Sequence, residues 1–89
     1  MARVAFTPNL VRHVSCPAVE APGRTVGEVL GAVFSQNEQL AGYVLDDQGS
    51  VRRHMSIFVD GRQIRDRQRL SDPVEPHSQI FVAQALSGG

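Results

Sequence analysis

The chain has 89 residues, 42% hydrophobic and 20% charged, a size that fits one domain and leaves no room for a second. Nine acidic residues balance nine basic ones, so no net field favours nucleic acid or an anionic membrane, and no apolar run approaches the roughly 20 residues that span a bilayer. Cys16 is the single cysteine, which excludes an internal disulfide, and His13, His54 and His77 stand at no recognised zinc-ligand spacing, so no metal site is expected.

Arg3-Val4-Ala5-Phe6-Thr7 alternates at period two and enters a loop at Pro8-Asn9. It follows Met1 without a signal-peptide core or cleavage motif, from which a cytoplasmic location is expected. A second strand is expected between Val14 and Ala21, irregular or at a sheet edge because of Pro17, and Pro22-Gly23 closes it with a turn. Thr25-Val26-Gly27-Glu28 is a capping box that starts a helix. Val26, Val29, Leu30, Val33 and Phe34 then fall at i, i+3, i+4, i+7 and i+8, one helical stripe, and the helix is expected to end near Leu40-Ala41 with Gly42 as its C′ residue.

Tyr43 to Val51 carries an Asp/Gly turn and weak periodicity, so it reads as a loop with Val44 or Leu45 pinned to the core. Arg53 to Val59 is rich in β-formers and closes on Asp60-Gly61, a hairpin dipeptide, with Gln63-Ile64-Arg65 as the return strand. Leu70-Ser71-Asp72-Pro73 is turn chemistry with one apolar anchor, and Gln79 to Leu86 is the last strand. The order β-β-α-β-β-β describes an α+β domain, about five strands packed on one main helix, over residues 1–86.

The sequence closes on Leu86-Ser87-Gly88-Gly89. Residues 87–89 are expected to form a flexible tail whose paired glycines would let an extended peptide slide through a narrow channel, with the Gly89 carboxylate as its reactive group. All nine basic residues are arginine, so the chain offers no ε-amine as an acyl acceptor, and its own N-terminus is its only amine.

Ile57-Phe58-Val59-Asp60-Gly61-Arg62-Gln63-Ile64 resembles the strand-turn-strand of ubiquitin, and Leu70-Ser71-Asp72 resembles its Leu-Ser-Asp segment. Thr25-Val26-Gly27-Glu28-Val29-Leu30 is similar to the helix start of the MoaD/ThiS sulfur carriers. Their order and spacing, with the Gly-Gly end, resemble the ubiquitin-like β-grasp superfamily over most of the chain. The stretch from Leu45 to His54, acidic residues and Gly49 followed by Arg52-Arg53, is similar to the CysO-like carriers of that superfamily.

The resemblance implies that the chain is not an enzyme but a protein co-substrate. An E1-like adenylating enzyme of the MoeB/ThiF type would activate Gly89 with ATP and magnesium, and sulfide or a persulfide would convert it to a thiocarboxylate. A sulfur-accepting synthase would then take the sulfur into cysteine, the destination the CysO likeness favours, or into thiamin, molybdopterin or a related metabolite. A metalloprotease that cleaves after Gly-Gly is a further expected partner. No cofactor is expected to stay bound.

Docking requires a surface. If Ile80 and Val82 face the helix, then Phe81, Ala83 and Ala85 face outward, and by the ubiquitin likeness Phe58 lies beside them while Ile57 and Val59 point inward. Phe58, Phe81 and Ala83 would form an apolar partner-binding patch, framed by Arg52, Arg53 and Arg62, with Leu86, Ser87 and Gly88 guiding Gly89 into the partner. A one-residue register slip would send both phenylalanines into the core instead.

Cys16 reads as a small buried hydrophobe and His54 and His77 as surface or packing residues. The series Arg62, Arg65, Arg67 and Arg69 reads as a solvated loop. Two other functions compete with sulfur delivery: a ubiquitin-like modifier conjugated to target lysines, and a β-grasp interaction module with an inert tail.

Overall fold

Period-two alternation at the start of the chain produces strand β1 (Ala2–Phe6), in which Ala2, Val4 and Phe6 are buried and Arg3 is exposed. The structure, a computed structural model, describes residues 1–6 and 18–84. Strand β2 (Val19–Ala21) pairs antiparallel with β1, Ala2 opposite Ala21, and forms one edge of the sheet. Its expected beginning at Val14, with Pro17, lies outside the described residues, as do Cys16 and His13.

Helix α1 (Val26–Gln36) starts where the capping box puts it: the Glu28 amide donates to the Thr25 hydroxyl at 3.2 Å. The Glu28 carboxylate reaches one residue further back than the motif requires, accepting from the Arg24 amide at 3.0 Å. Two more amides of the first turn are satisfied from outside the helix, Gly27 by the Leu70 carbonyl at 2.8 Å and Val26 by that of Asp72 at 3.0 Å. The helix sits so close to this loop that a Cβ on Gly27 would lie 3.2 Å from the Leu70 oxygen. All five residues of the expected stripe, Val26, Val29, Leu30, Val33 and Phe34, are buried.

The helix does not run on to Ala41. It breaks at Asn37 (φ −149°, ψ 82°), and a second helix, α2 (Glu38–Val44), follows, so Gly42 is a helical residue and not a C′ stop. A straight helix from Val26 to Val44 would extend about 28 Å at about 1.5 Å per residue, whereas the longest strand of the sheet covers about 20 Å. The bend brings Leu40 and Val44 back over the sheet, where both are fully buried. Ser35 sits just ahead of the break and donates its hydroxyl to the Ala32 carbonyl at 2.8 Å, a side-chain competitor for helix bonding.

Strand β3 (Met55–Val59) begins later than expected, because Arg53 and His54 form a turn. Asp60 and Gly61 take φ of 51° and 85°, the positive pair of a type I′ turn, and return the chain into β4 (Arg62–Gln63), which starts one residue before the expected Gln63-Ile64-Arg65 and leaves out Ile64 and Arg65. Strand β5 (Gln79–Gln84) is described to Gln84; its expected end at Leu86 lies outside the described residues.

The sheet order is β2-β1-β5-β3-β4, with β5 parallel to β1 and antiparallel to β3. A parallel pair requires a crossover, which the helices and the β3–β4 hairpin supply. One face of the mixed sheet carries Val4, Met55, Ile57, Ile80 and Val82 against Val26, Val29, Leu30, Leu40 and Val44 of the helices. This is the α+β ubiquitin-like β-grasp fold, with the expected single helix in two pieces.

The loop between β4 and β5 is held by carboxylates. Asp72 accepts from the Arg65 and Asp66 amides, and Asp66 accepts from the amides of Gln68 and Arg69 and from the Ser71 hydroxyl. The Ser71 hydroxyl first, then the Arg69 amide, lowers the Asp66 carboxyl from 3.8 to about 2. A depressed carboxyl stabilises the fold above its unfolded value, and that contribution disappears as pH falls through the folded one. Acid titration of thermal stability should therefore show a loss between about pH 4 and pH 2 that Asp66→Asn removes, because the amide has no proton to take up in that window.

Candidate partner interface and tail exit

Beta-sheet parity decides what lies on the face opposite the helices. Phe58 and Phe81 are direct cross-strand partners, and on the other side of Phe81 the parallel register sets Ala5. Ala83, two residues on, pairs with Ser56. The register therefore aligns Ala5, Phe81 and Phe58 in one row across three strands, with Gln63 as the polar neighbour of Phe58 on β4. Phe81 is 42% exposed, while Phe58, Ala5 and Ala83 are half-buried. The slipped register is excluded, since Ile80 and Val82 are 1% and 0% exposed.

The three arginines expected around this patch have different positions. Arg62 pairs with Val59, the register partner of Ile80, and so stands on the opposite face from Phe58. There it lines an open groove with Arg65, Asp72 and Pro73. Arg52 is engaged at the end of α2, its Nε donating to the Gly42 carbonyl at 2.9 Å, which places a cation at a helix C-terminus. Arg53 is exposed and sits in the turn before β3. Met55 pairs with Gln84, so this turn lies at the end of the sheet where β5 leaves it.

Arg67 has a role that composition and spacing gave no means to find. Far from being solvated, its guanidinium is half-buried and donates to the carbonyls of Arg52 and Met55, both at 2.7 Å, while its own carbonyl accepts from the Val51 amide. It pins the start of β3 and with it the turn carrying Arg53. Arg67→Ala would strand two carbonyls where water is scarce, and chemical denaturation should report a loss of about 2 kcal/mol. The start of β5 is pinned in the same manner. Asp60 accepts from the Gln79 amide at 2.9 Å and donates its own amide to the Gln79 carbonyl at 2.8 Å. The Gln79 amide, followed by the Ser78 hydroxyl, lowers the Asp60 carboxyl.

Leu86, Ser87, Gly88 and Gly89 lie outside the described residues. The strand that leads to them, β5, is paired on both sides, to β1 as far as Val82 and to β3 as far as Gln84. Among the described residues no group of three His, Cys, Asp or Glu side chains could hold a metal ion, and no helix is long and apolar enough to cross a membrane. Among the described residues the sheet face opposite the helices carries a partly exposed apolar row of Ala5, Phe81 and Phe58, next to the end of β5.

No protein-family model matches the sequence, and no curated protein does. Solved structures do. A chain of the Amycolatopsis orientalis BexX/CysO complex superposes with a TM-score of 0.84 at 22% identity, covering 100% of both chains. Mycobacterium tuberculosis CysO, described as an antigen, gives 0.81 at 19% identity over 97% of this chain and 100% of its own. The small archaeal modifier protein SAMP1 of Haloferax volcanii gives 0.79 at 20% identity over 99% and 98%. At such identities the common property is the fold, and it is common from end to end: the chain has the ubiquitin-like β-grasp architecture of CysO and of the small archaeal modifier.

Proposed function

We propose that the chain is a sulfur-carrier protein whose working group is the Gly89 carboxylate. The observation that carries this reading is the placement of β5: held on both sides in the sheet, it ends beside the face that carries exposed Phe81 and half-buried Phe58, and the sequence continues from it to Ser87-Gly88-Gly89. A carboxylate is a poor acyl donor because its leaving group would be oxide. An E1-like enzyme of the MoeB/ThiF type supplies a better one, the carboxylate oxygen attacking the α-phosphorus of ATP with magnesium and pyrophosphate departing. Sulfide sulfur then adds to the carbonyl carbon, AMP leaves, and Gly89 becomes a thiocarboxylate for a sulfur-accepting synthase, with cysteine as the favoured product; a persulfide in its place gives an acyl disulfide, from which a second thiol releases the thiocarboxylate as it is oxidised to a disulfide with the donor's sulfur.

In this reading residues 1–86 are the domain that the partners grip and residues 87–89 the part that enters their active sites. The chain is a co-substrate. Phe58, Phe81 and Ala83 supply apolar contact, Arg53 supplies charge at the exit, and Leu86 and Ser87 pass through the partner's channel. That a chain of this fold occurs in the BexX/CysO complex supports docking to a second protein.

Intact mass spectrometry tests the proposal. Incubation with a MoeB/ThiF-type enzyme, ATP and sulfide should add about 16 Da, sulfur for oxygen, confined to the C-terminal peptide. No shift with an enzyme that consumes ATP in the presence of the chain would defeat it. The likeness to the small archaeal modifier favours one further reading, conjugation of Gly89 to lysines of target proteins. Adducts that survive denaturation and map to Gly89-linked lysines would single it out.

A further inference from the structure

Strand β4 is the outermost strand of the sheet on its side, and its backbone is only half used. The Ile64 amide donates to the Ile57 carbonyl at 3.0 Å and Arg62 pairs with Val59, so residues 62 and 64 spend their hydrogen bonds on β3. Alternation then turns the N–H and C=O of exposed Gln63 away from the sheet, where no group among the described residues meets them. The next outward N–H along the edge, that of Arg65, is taken by the Asp72 carboxylate at 3.0 Å, which also accepts from the Asp66 amide at 2.8 Å. An unpaired edge is a template for one more strand, and here Asp72 confines it to a single residue.

The edge borders an open groove of about 530 Å³, within the size range of ligand sites. Val59, Ile64 and Pro73 are its apolar part, and the exposed Arg62 and Arg65 stand at its rim. Neither guanidinium has a hydrogen-bond or ion-pair partner among the described residues. The two carboxylates of the groove are turned to backbone amides, Asp60 to that of Gln79 and Asp72 to those of Arg65 and Asp66. Cationic charge is left for an incoming chain to meet.

We propose that this groove docks an extended segment of a partner protein with the order apolar-x-acidic, added antiparallel to β4. Its middle residue exchanges two backbone hydrogen bonds with Gln63, the perpendicular pair that an antiparallel neighbour makes, and turns its own side chain toward the Phe58 face. The residues on either side turn theirs into the groove. Antiparallel direction sets the apolar one over Ile64 and the acidic one opposite Arg62, at the spacing of a cross-strand ion pair. The inverted order would set a carboxylate beside that of Asp72 and is rejected. Arg62 and the groove lie on the opposite side of the sheet from the Phe81 row, so a segment bound here leaves that row open to a second partner. The proposal does not depend on the chemistry of Gly89.

The test titrates the peptide Thr-Ile-Thr-Glu-Thr, acetylated and amidated, into the isotope-labelled full chain and follows the backbone amides by NMR. The Gln63 amide should move most, as it gains an acceptor, with smaller shifts at Arg62 and Arg65 and none at Phe81. Arg62→Glu, at an exposed site outside the core, should weaken binding about tenfold by turning attraction into repulsion, and Thr-Ile-Thr-Arg-Thr should recover the loss on that variant. Methylation of the central threonine nitrogen removes one of the two backbone hydrogen bonds without touching the protein, and should abolish binding.

Absence of any shift at millimolar peptide would overturn the proposal. So would equal binding by the N-methylated peptide or by the inverted Thr-Glu-Thr-Ile-Thr, or wild-type affinity in Arg62→Glu. The same shifts produced by inorganic phosphate alone would reduce the groove to a small-anion site. Gln63 shifts that follow protein concentration without peptide would assign the edge to a second copy of this chain, and either result would overturn the partner segment.

Discussion

Replacing Gly88 with valine is expected to leave the Tm of the domain unchanged and to lower transfer from Gly89 by about 100-fold, close to 2.7 kcal/mol of transition-state stabilisation. The core described above is assembled from residues between Ala2 and Val82, upstream of Gly88. A branched Cβ next to the reacting carbonyl widens the peptide in the one segment that must thread a partner's active site, and displacement of the carbonyl by an ångström is enough for such a loss. The measurement is the rate of ATP–pyrophosphate exchange and of thiocarboxylate formation with the activating enzyme. Wild-type rates for Gly88→Val would show that the tail is not what the partner reads.

Phe81→Asp is the second large effect, and it separates docking from tail chemistry. The side chain is 42% exposed, beside Phe58 and Ala5, so its removal costs less than 1 kcal/mol of strand preference and the fold should survive. A charge at the centre of an apolar interface row would weaken partner binding by about 10- to 100-fold, the range of an aromatic hot spot. Calorimetric titration against the activating enzyme or synthase should show this as a rise in Kd, with kcat at saturation retained. The same change one residue on, Val82→Asp, buries an unpaired carboxylate at a fully enclosed site and should prevent folding. A Phe81→Asp protein that binds as tightly as wild type would move the interface off this face.

The parts of the molecule legible in the sequence are those set by local periodicity and turn chemistry. The stripe from Val26 to Phe34, the Thr25–Glu28 start, the Asp60-Gly61 turn and the alternation in β5 each depend on neighbours within about eight residues, and each has its expected form. Two places were not legible. The break at Asn37 arises from the mismatch between helix length and sheet width, a quantity that no window of sequence contains. Arg67 resembles its neighbours Arg65 and Arg69 in every local respect, yet the carbonyls it satisfies belong to Arg52 and Met55, more than ten residues away. Arg62 was misplaced for a related reason. Its side follows from pairing with Val59, and Gln63, not Arg62, is the neighbour of Phe58.

By itself, the sequence determined the capped start of α1, the Asp60-Gly61 turn, the apolar side of α1 and β5, the absence of any lysine and the closing Gly-Gly, because these are properties of composition and of short periods along one chain, whereas α2, which takes in Tyr43 and Val44 from the expected loop, was not among them. Only the tertiary structure decided that β1 and β5 run parallel through the middle of the sheet. That pairing joins residues more than seventy positions apart and sets Ala5 beside Phe81 and Met1 at the start of β5, while the antiparallel β3–β5 pairing adds Phe58 to the row and brings Arg53 to the other end of β5. Strand direction across a sheet is settled by which contacts bury the most apolar surface together, and no local pattern encodes it.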